Sequence, residues 1–186
     1  MICLWYPRLL YMLKKQLDDM SQCTAPNQLI ANEIKTKYMF FWKIRHIYTS
    51  SINGKRMTKV KSSKCLGIIV NSVQTLKGDI FRENPEYLKD KARKSVFSFL
   101  NRMKRIGNTS PKCMFNLYEC LTQPILLYGS DLWGFSKSNI SSIDLLLNLF
   151  LRIVLGVKQG TCIPMLLGES GVYPPSILCH INVILY

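Results

Sequence analysis

Residues 88–107 read LKDKARKSVFSFLNRMKRIG, a run whose apolar side chains recur every three or four positions. The recurring positions are Leu88, Ala92, Val96, Leu100 and Met103. This period places them on one face of an α-helix, and a glycine after such a run, here Gly107, is typical of a helix C-terminus. The run therefore predicts a long amphipathic helix with one buried face.

The same run carries basic side chains on a different face of the predicted helix. They are Lys91, Lys94, Arg102 and Arg105, with Lys89, Arg93 and Lys104 beside them. Spacings of three, eight and three residues keep the first four on one side, away from the apolar stripe. Phosphates follow one another along a duplex backbone and match such a row. We therefore predict that these four residues bind nucleic acid.

Further helices are predicted toward the C-terminus. Ser110 at an N-cap, followed by Pro111, predicts a second helix that Pro124 kinks or ends. Its predicted buried face consists of Met114, Leu117 and Leu121. Ser141-x-x-Asp144 is a variant capping box and predicts a third helix to about Leu155, apolar nearly all round and so central in a bundle. After Pro164 and Pro174-Pro175, a last helix is predicted over Ser176–Tyr186.

The N-terminal third predicts a helix and a small sheet. Leu10, Leu13, Leu17 and Met20 have helical spacing, and Pro26 ends that helix. Strands are predicted at Tyr38–Trp42, Ile47–Ile52, Lys55–Val60 and Cys65–Val70. Asn53-Gly54 is the favoured two-residue hairpin turn, and Gly67 indicates a bulge or a close approach by another backbone. Residues 38–70 are therefore predicted to form an antiparallel sheet that packs on the first helix.

Composition indicates a globular protein with an anionic partner. The chain has 186 residues, 48% of them hydrophobic, which suffices for one sizeable core or two small ones. Lys and Arg number 25 against 11 acidic residues, a formal net charge of +14. This excess favours nucleic acid, or else an anionic membrane, over a basic surface that has no partner. The apolar stretch Ile143–Val157 is too short and too polar to span a bilayer, and no secretion signal is evident, so the cytoplasm or nucleus is favoured over secretion.

No catalytic or metal-binding arrangement is predicted. Asp18 and Asp19 are adjacent on a predicted helix, where neighbouring side chains diverge by about 100° and cannot easily hold one ion. His46 and His180 are interpreted as structural or surface residues. The seven cysteines lack metal-ligand spacing, and most are predicted to be small core residues.

Six segments in order resemble the C-terminal half of a non-LTR (LINE-type) retrotransposon reverse transcriptase, over about residues 13–186. They are Asn27–Asn32, Lys35–Met39, Ile52–Lys55, Lys64–Ile68, Gln123–Gly134 and Leu155–Val157. The resemblance implies that Lys64, Cys65, Leu66 and Gly67 form a primer grip, which positions the primer terminus. Cys65 stands where the family has an aromatic residue, and Cys23 stands where it has a tryptophan. Within Gln123–Gly134, Tyr128 and Trp133 are interpreted as core residues.

The resemblance implies an α+β fold with a partial polymerase palm, a helix plus a small antiparallel sheet, followed by a mostly helical thumb-like bundle. The expected domains are residues 9–72 (palm), 80–160 (thumb) and 161–186 (the start of a further, truncated segment). The expected function is that of a fragment of an RNA-directed DNA polymerase, inactive alone and limited to binding template–primer duplex, or a decayed copy with no partner. Mg²⁺ is expected only for the full-length family enzyme, and no cofactor for this chain. The alternatives are a captured nucleic-acid-binding module and a small basic helical interaction protein unrelated to polymerases.

The first prediction is that the chain does not polymerise DNA, because two-metal phosphoryl transfer needs carboxylates arranged around paired ions and the sequence offers no such set. The measurement is primer extension on poly(rA)/oligo(dT) with Mg²⁺ or Mn²⁺. Extension that disappears in the Asp18→Ala variant would contradict this prediction.

Overall fold

A computed structural model describes residues 11–12, 15–16, 18–19, 22–23, 26, 32, 36–39, 41, 51–52, 55–72, 78–107 and 109–185. The fold is α+β, with mostly helices and three two-stranded sheets in the described parts. The chain divides into two compact units, Met1–Ser63 with Ser72–Gly78 and Lys64–Asn71 with Asp79–Tyr186. This division differs from the expected domains. Residues 64–71 and 161–186 belong to the same unit as the helices.

In the first unit, the described residues between positions 11 and 23 are helical. Strand β1 (Lys37–Tyr38) pairs in parallel with β4 (Thr58–Lys59). Strand β2 (Ser51–Ile52) pairs antiparallel with β3 (Lys55–Arg56), with Ile52 opposite Lys55. That register leaves two residues between the strands and confirms the predicted hairpin, although Asn53-Gly54 themselves lie outside the described residues.

The predicted single antiparallel sheet over residues 38–70 is wrong. The described strands form separate pairs, one of them parallel, and the predicted strand Lys55–Val60 is interrupted at the buried Met57. The predicted strand Cys65–Val70 is also wrong, because the chain reverses within it: β5 (Ser62–Cys65) pairs with β6 (Ile68–Asn71). Leu66 and Gly67 form the two-residue loop with φ values of +48° and +89°. Positive φ at both positions is what a type I′ turn requires.

Seven α-helices and one π-helical segment are described in the second unit. They are α1 (Asn84–Ile106), α2 (Pro111–Leu117), the π-helical segment (Tyr118–Thr122), α3 (Gln123–Leu126), α4 (Ser130–Trp133), α5 (Lys137–Leu155), α6 (Ile163–Ser170) and α7 (Pro175–Leu185). The predicted ends of α1 at Gly107 and of α5 at Leu155 are confirmed. The start of α2 is confirmed as well, since Ser110 Oγ accepts a hydrogen bond from Cys113 N at 3.3 Å.

The core of this unit lies between α1 and α5. The predicted stripe on α1 is buried except at Met103, which is half-buried, and Ala92 and Val96 are fully inaccessible. The stripe packs with apolar side chains of α5, α6 and α7. Phe150 on α5 is the centre of an aromatic cluster. Its ring stacks on Tyr118 with centroids 4.7 Å apart and meets Phe99 and Phe115 edge to face at 5.8 and 6.3 Å. Such ring pairs stabilise the fold beyond the area they bury.

The π-helical segment changes which side chains are buried after α2. Gln123 N bonds to Tyr118 O, five residues earlier, just before Pro124, which has no N–H to donate. Tyr118 and Thr122 are fully buried, whereas Leu121, predicted to be buried, is 47% exposed. The prediction failed because one extra residue in a turn rotates the following side chains by about 100° relative to an α-helix.

Two further predictions are wrong. Helix α5 begins at Lys137, so Ser141 lies inside it, and Asp144 Oδ1 accepts a hydrogen bond from Ser176 N at 2.9 Å at the start of α7. Among the described cysteines, five are exposed and only Cys179 is buried. Burial raises the pKa of the Cys179 thiol to about 12, and nearby Asp144 acts in the same direction. The other five described cysteines are small enough for the core but lie at the surface.

We predict that Phe150→Ala lowers the free energy of unfolding by about 3–5 kcal/mol, because it leaves a cavity among three aromatic rings. The matched control is Phe135→Ala. Phe135 is 72% exposed, and its removal is expected to change stability by no more than about 0.5 kcal/mol. Urea denaturation followed by circular dichroism measures both, and equal losses would contradict the central position of Phe150.

Candidate nucleic-acid interface

Helix α1 carries most of the positive charge of the second unit. It contains seven Lys or Arg against two acidic residues, whereas residues 107–186 contain four of each. The four basic side chains predicted from the sequence, Lys91, Lys94, Arg102 and Arg105, are all exposed on α1. A rise of 1.5 Å per residue spreads them over about 21 Å of helix, so the row spans several phosphates of a duplex.

Within the described residues, no carboxylate forms an ion pair with any of these four side chains. The acid in the first turn of α1, Glu86, pairs with Lys89 at 2.7 Å, and Glu83 lies 3.6 Å from Arg82. None of the four charges is therefore paired with a described carboxylate, and Asp90, four residues before Lys94, is the one acid on that side of α1. Such an exposed row of cations is the electrostatic arrangement that attracts a polyanion.

The hairpin residues Lys64–Asn71 are attached to the start of α1 by two buried asparagines. Asn84 Oδ1 accepts a hydrogen bond from Ile69 N at 2.9 Å, and Asn71 Oδ1 accepts one from Glu83 N at 3.2 Å. The backbone adds a bond from Asn71 N to Ile80 O at 2.7 Å. These bonds satisfy backbone donors at the strand and at the helix N-terminus together, so the hairpin has a defined position on α1.

A second attachment joins the hairpin loop to the segment Tyr128–Gly134. Tyr128 Oη donates a hydrogen bond to Leu66 O at 2.7 Å, and Trp133 Nε1 donates one to Tyr128 O at 2.9 Å. A Cβ at Gly129 would lie 2.5 Å from Ile68 Cδ1, so any larger residue at this position would force the Ile68 side chain to shift. Trp133 is buried as predicted. Tyr128, predicted as a core residue, is 49% exposed and instead holds the loop, which corrects that prediction.

The hairpin brings Lys64 to the basic face of α1. Lys64 Nζ donates a hydrogen bond to Tyr87 Oη and lies 4.6 Å from the centroid of that ring. Tyr87 precedes Lys91 and Lys94 by four and seven residues, so the three share one face of α1. The hydrogen bond from Lys64 lowers the pKa of Tyr87, and the charges of Lys64, Lys91 and Lys94 lower it further. The structure therefore joins part of the predicted primer grip to the predicted basic row.

The remaining predicted residues occupy different surroundings. Cys65 is exposed, and Leu66 at the tip of the hairpin is 87% exposed in an unfavourable left-handed conformation. A Cβ on Gly67 would lie 3.0 Å from Tyr128 Cε1, so the predicted close approach is made by a side chain and not by a backbone. Arg102 and Arg105 lie in the C-terminal part of α1, away from the hairpin attached to its N-terminus.

Sequence reasoning missed Tyr87 and Asn84. The sequence contained a signal for Tyr87, because this residue continues the spacing of Lys91 and Lys94 toward the N-terminus of α1. Asn84 had none, because its role depends on hydrogen bonds to a strand 15 residues away.

The described part of the chain contains no cluster of three His, Cys, Asp or Glu side chains that could hold a metal ion. Asp18 and Asp19 are helical and exposed. No helix in the described ranges is long and apolar enough to cross a bilayer. No family model, curated protein or solved structure matches this chain.

We predict that Gly129→Ala destabilises the second unit more than Gly156→Ala. Both glycines have left-handed backbones, with φ of +64° and +66°, where alanine costs about 1–2 kcal/mol. Nothing lies within 4 Å of a Cβ at Gly156, whereas a Cβ at Gly129 collides with Ile68. Thermal unfolding of the two variants measures the difference. Equal shifts in Tm would contradict the close packing of the hairpin on Gly129.

Proposed function

We propose that this chain binds the phosphate backbone of a nucleic-acid duplex through the exposed face of α1 and the hairpin residue Lys64. The observation that carries the proposal is the convergence of Lys64 with Lys91 and Lys94 around Tyr87. Three ammonium groups from two distant parts of the chain repel one another. An anionic partner relieves that repulsion.

We further propose that the chain corresponds to a palm and thumb portion of a non-LTR retrotransposon reverse transcriptase. The order of the six segments supports this origin, and the attachment of the Lys64–Gly67 hairpin to Tyr128–Gly134 joins two of them by direct contact. In this proposal the hairpin has the position of the primer grip, and α1 is the thumb helix that follows the duplex backbone. The biochemical activity proposed for the chain itself is binding without polymerisation.

The experiment is a salt titration of binding to an RNA–DNA duplex by fluorescence anisotropy. The row variant changes Lys91, Lys94, Arg102 and Arg105 to Gln. Because each phosphate contact contributes about −0.9 to the slope of log K against log salt, we predict that this variant flattens the slope by about 3 to 4.

The matched control changes Arg56, Arg82, Lys112 and Lys158 to Gln, which removes the same number of lysines and arginines from exposed positions outside α1. It is expected to flatten the slope by less than about 1. Circular dichroism checks that both variants are folded. Equal slopes for the two folded variants would remove the row as a nucleic-acid site and favour the alternative of a basic helical interaction protein.

A further inference from the structure

The hydroxyl of Tyr87 has a charged hydrogen-bond partner on one side. Lys64 Nζ donates to Tyr87 Oη, so the phenol oxygen already accepts from an ammonium group. Lysine has no acceptor, and the phenol proton therefore remains to be donated elsewhere. Among the described residues, no acceptor takes this proton. A phenol polarised by a cation is a stronger donor than an isolated one, and the lowered pKa of Tyr87 agrees with that polarisation.

The surroundings of this hydroxyl are cationic. The charges of Lys91 and Lys94 act on it in addition to that of Lys64. Tyr87 is the fourth residue of the 23-residue helix α1, where the positive end of the helix dipole adds to the attraction of an anion. Of the two acids on α1, Glu86 is paired with Lys89 and directed to another face. Asp90 lies on the same side of α1, three residues after Tyr87 and four before Lys94, and is outnumbered there by the three lysines.

We infer that Tyr87 is the centre of an oxyanion site that takes one phosphate group, with the phenol O–H donating to a phosphate oxygen and with Lys64, Lys91 and Lys94 around it. The lysines supply attraction with little directional preference, and the phenol supplies a directed hydrogen bond. This inference rests on the proposed function and deepens it, because it assigns one backbone phosphate to a defined position. The ligand is a phosphodiester of the duplex, whose chemistry is shared by free phosphate.

Tyr87→Phe tests the directed bond, because it keeps the ring and every charge and removes the hydroxyl, which also frees Lys64 from its hydrogen bond. A loss of affinity caused only by displacement of Lys64 from the phosphate would flatten the salt slope, whereas loss of the phenol bond would not. A hydrogen bond to a charged group contributes about 1.5–3 kcal/mol, so duplex Kd is expected to rise about tenfold or more. The rise should be the same at every salt concentration, with the slope unchanged, because no charge has been removed. Tyr173→Phe is the matched control at a tyrosine that is 69% exposed and outside α1, and it should bind like the wild type.

The outcomes separate this inference from the proposed function. If Tyr87→Phe binds like the wild type while the row variant loses its salt slope, the oxyanion site is overturned and duplex binding stands. If the row variant also keeps its slope, both fail.

Competition with inorganic phosphate at constant ionic strength identifies the source of the phosphate. Duplex that stays bound at millimolar inorganic phosphate is the expected result, since one isolated anion forms a single contact of the many that a backbone forms. Displacement at that concentration would overturn the assignment to a nucleic-acid backbone. Circular dichroism of each variant confirms that the affinities compare folded proteins.

Discussion

The packing of α1 on α5 is the contact on which the second unit depends. Leu88, Ala92 and Val96 can leave water only if a complementary apolar surface covers them, and α5 supplies it around Phe150. Once that face is buried, the basic row must point to solvent, because the helix is rigid and its other face remains exposed. Burial of the apolar residues therefore orients the charges. The position of the candidate interface follows from the core without any charge–charge interaction to guide it.

The hairpin adds Lys64 to this exposed helix face, so that two separate segments of the chain form the candidate site. Asn71 and Asn84 attach its second strand, β6, to the start of α1, and Tyr128 attaches its loop. The loop needs such support, because a leucine in the left-handed region costs about 1–2 kcal/mol. The hydrogen bond to Leu66 O and the space left by Gly129 help to hold that conformation. Through these contacts, the buried Trp133 fixes the hairpin that carries Lys64.

Sequence reasoning succeeded where structure is governed by near neighbours along the chain. The apolar period of α1, the cap at Ser110 and the stop at Gly107 are local signals, and the structure confirms them. Sequence reasoning failed where a single residue changes which way the following side chains face. The π-helical segment before Pro124 exposed Leu121, and the turn at Leu66-Gly67 divided a predicted strand into two. Asp144, which the capping pattern at Ser141 would place in the first turn of a helix, instead accepts a hydrogen bond from the distant Ser176 N.

The sequence by itself determined which face of α1 is apolar and which is basic, because helical periodicity is a local property of the chain. It also identified Lys64–Gly67 and Tyr128–Gly134 as segments of interest, but only as separate ones. Tertiary structure alone decided that these segments touch and that Lys64 meets Tyr87 beside Lys91. The physical reason is that contacts between residues more than 20 positions apart depend on how the elements pack, and no periodicity along the chain encodes them.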